Sequence, residues 1–282
     1  MLEVQKDKDV RVLLLGSGGF LGKSISRKLQ ATRGVLLFTE KSWSLKVFEF
    51  HSSEHRRALL RQCNPDVVIQ AIWLTKGNYV NNPQQWSFSK STIDFYTECL
   101  DSGVKQFIAF GTGLEVNYED SFEFAHPNFD SSYLLAKVFT RKALFDLEKF
   151  NTPRVSWIQI FQLYGKGQSL EKFLPSSFHK LQSSNEVYID SPNSCNDWVF
   201  VDDVSDLVTQ QCLSDCGGVY QAGTGMGKTN FEIIDALRTL TNSQSKIRLN
   251  LKNTRHSRYV ATRPHSLIHT HIDEGLKKTF LT

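Results

Sequence analysis

Apolar residues along this chain fall in short continuous runs, and between the runs they recur at helical spacing. Arg11 to Leu15 (RVLLL) is one such run, stopped by glycine; Val35 to Phe38, Asp66 to Ile72 (DVVIQAI), Val104 to Phe110 (VKQFIAF) and Val155 to Phe161 are others. Runs without polar alternation predict strands buried on both faces, as in parallel sheets. Phe20 to Leu29, His55 to Cys63, Thr92 to Leu100 and Ser132 to Phe150 carry the helical pattern, the last closed by Asn151 and Pro153. Alternation of the two predicts an α/β fold, a doubly wound parallel sheet with helices on both faces. Beyond about Gly165 the rhythm breaks into irregular segments, with helices near Val204 to Cys212 and Phe231 to Leu240. Residues 1–165 are therefore read as the sheet domain. Residues 166–282 are read as a smaller, partly discontinuous lobe over the carboxyl edge of the sheet, where ligands bind in such folds.

Composition narrows the function classes. Of 282 residues, 40% are hydrophobic and 22% charged, which excludes wholesale disorder. No apolar run reaches the ~18 residues of a membrane span, and the charged start MLEVQKDKDV leads straight into a strand rather than reading as a signal peptide. A net charge of +4 without a dense Lys/Arg stripe argues against a nucleic-acid or membrane partner and tolerates an anionic small molecule. The five cysteines (Cys63, Cys99, Cys195, Cys212, Cys216) are odd in number and lack C-x-x-C, so reduced thiols in a cytoplasmic protein are expected.

The turn after the first predicted strand carries the first chemistry. Gly16-Ser17-Gly18-Gly19-Phe20-Leu21-Gly22 has Leu21 where G-x-G-x-x-G needs glycine, and instead fits G-x-x-G-x-x-G through Gly16, Gly19 and Gly22. Glycine there permits a tight turn and lets the backbone approach a pyrophosphate, while the following helix start offers free N–H groups to phosphate. At the end of the second strand stands Glu40, a carboxylate able to accept both hydrogen bonds from an adenosine ribose and to repel a 2′-phosphate, favouring NAD; the adjacent Lys41 can neutralise it or reach a 2′-phosphate, favouring NADP. The cofactor is read as NAD(P)(H), with that choice open.

The second motif is Tyr133-Leu134-Leu135-Ala136-Lys137, whose Tyr133 and Lys137 share one helix face. An ammonium beside a phenol is expected to lower the phenol pKa, preparing Tyr133 to give a proton to a carbonyl or take one from an alcohol. Thr112, expected in a turn just after its strand, is placed to hold the same substrate oxygen.

GSGGFLG, Thr112, YLLAK, LYGKGQ and DWVFVDDV occur in an order that resembles the extended short-chain dehydrogenase/reductases, and among them the nucleotide-sugar epimerases, dehydratases and 4-ketoreductases. The similarity runs from about Val10 to Leu240, and IDEGLKKTF looks like a closing helix. The resemblance implies a Rossmann-type NAD(P)-binding domain with a discontinuous C-terminal substrate lobe. It implies Tyr133 as acid/base, Lys137 as the ligand of the nicotinamide ribose and Thr112 as orienter of the substrate oxygen. Cofactor contacts follow at Gly16, Gly19, Phe20, Leu21, Gly22, Glu40, Lys41, Ala71, Tyr133, Lys137 and Phe161, with Trp73 covering the cofactor. Substrate contacts follow at Thr112, Gln162, Lys172 and Asn196. It also implies a homodimer through the segments Thr92–Leu100 and Ser132–Phe150, with Phe95, Leu144 and Leu147 as candidate contacts.

Departures from the family pattern sharpen the subtype. Dehydratases resembling this chain place an Asp-Glu pair directly after the Ser/Thr; here Gly113 and Leu114 stand there and Glu115 comes one residue late. Gln159 and Gln162 replace the Arg and Asn of relatives, and Asn196 replaces an arginine that grips the substrate diphosphate, with Lys172, Lys252, Arg255 or Arg258 as compensating cations. KFLP, DWVFVDDV and VYQAGTG look nearest to the 4-ketoreductases. The leading reading is a reductase of a keto group on a nucleotide-linked deoxy sugar, with an epimerase holding NAD as the alternative. A catalytically silent cofactor-binding protein is the third reading, opposed by the intact Thr112, Tyr133 and Lys137.

Two motifs are set aside. GTGMGKT (223–229) has Ala222 where a phosphate-binding loop needs glycine, and His265, His269 and His271 lack further ligands nearby, so no metal is expected.

Overall fold

The computed structural model describes residues 9–42, 48–116, 131–149, 153–250 and 257–281. Strands β1 (Val10–Leu15), β2 (Val35–Thr39), β3 (Val67–Gln70), β4 (Gln106–Thr112), β5 (Arg154–Ile160) and β9 (Gly218–Ala222) form a six-stranded sheet in the order β2-β1-β3-β4-β5-β9. Every pairing in it is parallel. The chain leaves β1 for β2 on one side and returns to β3 on the other, which opens a crevice at the carboxyl ends of β1 and β3.

The unbroken apolar runs are explained by helices on both faces. Val12 and Leu14 of β1 pack with Ile25 and Leu29 of α1 (Phe20–Gln30) and with Val204, Leu207 and Val208 of α6 (Val201–Leu213). Leu13 and Leu15 face the other way, onto Leu59 and Leu60 of α2 (Ser53–Cys63), Phe95 and Tyr96 of α3 (Gln85–Leu100) and Leu144 of α4 (Ser132–Glu148). Predicted and observed elements agree closely, but α3 begins seven residues before the expected Thr92. Its first turns are polar yet buried: Gln85 donates to the Leu74 and Tyr79 carbonyls and accepts from Trp73 Nε1, and Ser89 accepts from Thr140. Hydrogen bonding thus replaces the apolar periodicity that marks the second half. Phe150 and Asn151, the expected end of α4, lie outside the described residues.

The C-terminal part is more regular than its sequence pattern predicts. It contains α5 (Phe173–Ser183), α7 (Asn230–Thr241) and α8 (Ile272–Phe280), and short strands β6 (Gln162–Tyr164), β7 (Glu186–Ile189), β8 (Cys195–Phe200), β10 (Gly227–Thr229), β11 (Lys246–Leu249) and β12 (Arg258–Tyr259). β8 pairs with β6, β10 and β12, and β7 with β11. A separate core joins Tyr164, Leu174, Trp198, Phe200, Ile234 and Leu276. Two elements from this half return to the first: β9 completes the large sheet, and α6 lies along α1, tied by Ser205 to Ser24 and Ser24 to Asp202, both at 2.8 Å. No helix among the described residues is long and apolar enough to cross a membrane.

The expected dimer contacts are corrected here. Phe95 and Leu144 are fully enclosed against the sheet, so these two cannot meet a second copy; Leu147 is partly buried against the same core. On these two helices the exposed apolar side chains are Trp86 and Phe139, whose rings lie 6.0 Å apart.

Close packing at the crevice makes a sharp prediction. A Cβ at Gly22 would overlap the Gly16 carbonyl oxygen and come 2.8 Å from its carbon, backbone that cannot step aside, whereas one at Gly18 meets nothing within 4 Å. Gly22→Ala is expected to cost several kcal/mol in urea unfolding, on the order of 2–4, against less than about 0.5 for Gly18→Ala.

Candidate active site

The glycine turn is shaped by contact with its neighbours. Gly16 has φ +90°, and a Cβ there would sit 2.8 Å from the Ala71 carbonyl carbon, so the end of β1 lies directly on the segment that follows β3. Gly19 caps α1 in extended geometry and donates its N–H to the Gly16 carbonyl at 3.0 Å. No side chain caps α1 and its first turn holds no acid, which leaves the N–H groups of Phe20 and Leu21, with their partial positive charge, for an anion. Glu40, just beyond β2, reaches this turn. It accepts from the Gly16 and Ser17 N–H groups at 3.1 and 3.3 Å and from Ser17 Oγ at 2.9 Å. Its oxygens thus go to the turn; Lys41 is exposed and donates its backbone N–H to Thr39 Oγ1 at 3.2 Å.

Thr112 is the last residue of β4 rather than part of the turn after it. Its hydroxyl accepts the Leu114 N–H at 3.4 Å, and the Tyr133 hydroxyl lies close enough for the Thr112 side chain to offset part of the effect of burial on it. Tyr133 stands in the first turn of α4, which Ser131 caps by accepting the Leu134 N–H at 3.2 Å. The loop from Trp73 to Asn82 closes over it: Tyr133 N–H donates to the Val80 carbonyl at 3.0 Å, and the Tyr79 ring meets the Tyr133 ring edge-on at 5.2 Å. One turn further along α4, Lys137 is buried, donates to the Phe110 carbonyl at 2.6 Å, and lies 3.5 Å from the centre of the Trp73 ring.

This geometry corrects the expected acid–base coupling. Burial pushes the Tyr133 phenol up, Tyr79 and Glu115 push it further, and the Thr112 hydrogen bond offsets part of this. Lys137 does not acidify it: the ammonium is turned to Phe110 and Trp73, 6.0 Å from the Tyr133 ring centre. Burial instead holds Lys137 down to about 7, opposed by the Glu115 carboxylate.

The other expected contacts spread outward. Phe161 is buried against the backbone of Gly113 and Gly223, beside Thr112. Lys172 precedes α5, reaches the Thr75 carbonyl at 3.5 Å and lies 5.5 Å from the Tyr79 ring, so it joins the loop over Tyr133. Gln162 opens β6 and is exposed. Asn196 donates to Asn230 Oδ1 at 3.3 Å, a contact within the C-terminal core. Arg258 meets Cys195 Sγ at 3.6 Å, while Lys252 and Arg255 lie outside the described residues. The near-phosphate loop at 223–229 is a turn closed on the buried Asp197, whose carboxylate accepts the Thr224, Gly225 and Ala261 N–H groups. His265 and His271 accept backbone N–H groups at Nδ1, and His269 Nδ1 meets the Leu267 carbonyl. Among the described residues no group of three or more His, Cys, Asp or Glu is arranged to hold a metal ion.

Sequence reasoning missed Tyr79, in a loop with no periodicity. It also missed Arg141, whose spacing of four from Lys137 was the available signal.

The sequence model of the NAD dependent epimerase/dehydratase family matches residues 12–223, from within β1 to just past β9. The chain belongs to this family. Solved structures of similar fold include UDP-glucose 4-epimerase of Thermus thermophilus, complexed with NAD (18% identity, 96% of this chain and 97% of that one, TM-score 0.75). UDP-N-acetylglucosamine 4-epimerase of Methanobrevibacter ruminantium, complexed with UDP-N-acetylmuramic acid, is similar at 14% identity, 96% and 97% coverage and a TM-score of 0.78. An NAD-dependent NDP-hexosamine 5,6-dehydratase of tunicamycin biosynthesis is similar at 18% identity, 96% of both chains and a TM-score of 0.72. No curated protein matches the sequence. The glycine turn lies at the crevice where the strand order reverses, and Thr112 stands at the carboxyl end of β4, the strand next to β3.

Lys137 gives a pH signature. Unfolded it titrates near 10.5 and folded near 7, so between these values the unfolded chain binds the extra proton and folded stability rises with pH. Lys137→Met removes this dependence. Its stability relative to wild type is expected to be highest at pH 6 and to decline steadily toward pH 10, as urea unfolding at stepped pH will report.

Proposed function

We propose that this protein is a reductase, which delivers hydride from a nicotinamide cofactor to the keto carbon of a nucleotide-linked deoxy sugar. The observation that carries this reading is the placement of Thr112 at the end of β4 beside Tyr133, with the buried Lys137 one helical turn on, its Nζ 6.0 Å from the Tyr133 ring centre. The glycine turn fits a dinucleotide: backbone closes on backbone at Gly16 and Gly22, the flank at Gly18 is open, and α1 starts uncapped. Gly16, Gly19, Phe20 and Leu21 are the proposed pyrophosphate contacts. Glu40, held at this turn, supports NAD over NADP because a second negative charge would be repelled there. When bound, the nicotinamide supplies the hydride.

The chain's own groups supply the rest. Tyr133, kept protonated across neutral pH by burial, gives its proton to the substrate oxygen, and Thr112 donates a hydrogen bond to the same oxygen. Lys137 holds the nicotinamide ribose through its ammonium, moving from the Phe110 carbonyl and Trp73 to do so. Lys172, at the rim over Tyr79, is the proposed contact for the substrate diphosphate. Dehydration is disfavoured because Gly113 and Leu114 carry no acid, and the Glu115 carboxylate is fully enclosed. Epimerisation is the second reading, supported by the named activities of several solved structures of this fold. The five unpaired cysteines support a reducing, cytoplasmic setting.

A screen of nucleotide-linked 4-keto-6-deoxy sugars with NADH and NADPH tests the reading. Stoichiometric loss of nicotinamide absorbance is expected. Product without absorbance change would establish the epimerase, and cofactor binding with no turnover on any sugar would establish a silent protein. On a turned-over sugar, Tyr133→Phe is expected to lower the rate by ~10²–10⁴ while NAD binding persists; a wild-type rate would overturn the mechanism.

A homodimer across α3 and α4 is also proposed, supported by the exposed pair Trp86 and Phe139. Light scattering is expected to give twice the chain mass, and Trp86→Ser with Phe139→Ser to give the monomer.

A further inference from the structure

Three residues of α4, each four apart, meet three successive features at the end of β4. Tyr133 meets the Thr112 hydroxyl, Lys137 meets the Phe110 carbonyl, and Arg141 Nε forms an ion pair at 3.3 Å with Glu115. Glu115 has 0% exposure. Its Oε1 accepts the Thr112 N–H at 2.7 Å, and its two oxygens lie 3.1 and 3.3 Å from Trp157 Nε1. Room for this carboxylate is built into the strand. A Cβ on Gly111 would strike Glu115 Oε1 and come 2.8 Å from Trp157 Cε2.

A capping box at a short turn needs none of this. On a protein surface such a cap contributes about 1 kcal/mol, and a neutral glutamine would serve as acceptor. Burying a charged carboxylate instead costs several kcal/mol before its partners compensate. Here burial pushes the Glu115 carboxyl up, while Arg141, the Thr112 N–H, Trp157 and Lys137 hold it down; it lies against the backbone that carries Thr112 and opposes the effect of burial on Lys137. Among the described residues, the ionisable groups facing Lys137 and Glu115 are Tyr133 and Arg141 on α4 and Tyr79 on the loop beyond Tyr133; Trp73 and Trp157 turn their rings to Lys137.

We propose that Glu115 is a positioning residue of this site: it fixes the backbone of Thr112 so that its hydroxyl meets Tyr133, and it is the counter-charge of the Lys137 ammonium. The inference rests on the proposed role of Lys137 in holding the ribose of NAD. The charge on Glu115 then determines over what pH range that grip is available, because it opposes the effect of burial on Lys137. The bland alternative, a cap that only ends β4, affects stability and leaves the pH range unmoved.

The test is NAD⁺ binding by calorimetry from pH 5.5 to 9, which needs no sugar substrate. Wild-type affinity is expected to fall as pH rises through the Lys137 ionisation. Glu115→Gln keeps the acceptor oxygen and removes the charge; the midpoint of that fall is expected to move to lower pH by about one pH unit, the effect of one nearby opposite charge. Affinity at pH 7 then drops roughly three- to tenfold, while Glu115→Asp restores most of it. If Glu115→Gln does not fold, Trp157→Phe, which removes one donor to the carboxylate, decides by the same midpoint, expected to shift measurably. A midpoint unchanged in the folded variant overturns the proposal. Lys137→Met separates the two readings. If it abolishes the pH dependence while Glu115→Gln leaves the midpoint in place, the positioning role alone fails. If it changes neither affinity nor pH dependence, the role of Lys137 fails, and this proposal with it.

Discussion

The site depends on one register, that of α4 against the end of β4. A helix advances 1.5 Å per residue, so side chains four apart stand about 6 Å apart along the axis. Tyr133, Lys137 and Arg141 use that spacing to meet the Thr112 hydroxyl, the Phe110 carbonyl and the Glu115 carboxylate. Each rung is buried or nearly so, and each would leave a polar group unsatisfied if the helix slipped by one residue. The apolar side of α4 alone does not impose such precision, since Leu144 and its neighbours would tolerate small sliding against Phe95 and Phe107. Polar matching in a dry place does, because there an unmet partner is expensive.

The same logic orders the glycine turn. Its backbone is pressed between the Ala71 peptide and the first turn of α1, and Glu40 occupies its N–H groups from outside. Backbone contact on one side and an uncapped helix start on the other leave a narrow, positively polarised opening. Rigid main chain, rather than mobile side chains, lines it.

Much of this was legible in the sequence, for physical reasons. Strands buried on both faces must be apolar throughout, so RVLLL and VKQFIAF marked themselves, and IDEGLKKTF falls on α8 from its first residue to its last. Glycines pressed by backbone and a Tyr–Lys pair at helical spacing are local patterns. What stayed hidden is set by partners distant in the chain. The first turns of α3 are polar because Gln85 serves the loop from Trp73 to Tyr79. Lys137 looked like a neighbour of the phenol until Trp73 and Phe110 drew its ammonium away. Glu115 looked misplaced by one residue because its partners, Arg141 and Trp157, come from α4 and β5. Phe95 and Leu144 looked like surface contacts because a helical stripe does not say whether it faces a sheet or a second molecule.

The return of β9 and α6 to the first half has a consequence for how the chain is made. Until Ala222 has left the ribosome, β5 is an edge strand with its buried Val155, Trp157 and Ile158 lacking a neighbour on that side. Until α6 follows β8, the face of the sheet that carries Val12 and Leu14 is covered by α1 alone. The nascent dinucleotide-binding half is therefore incomplete until the first part of the lobe, through Ala222, has been made, and a sticky sheet edge persists for that time. Its closure joins residues far apart in sequence, a slow step in folding and one at which chaperones have surface to grip.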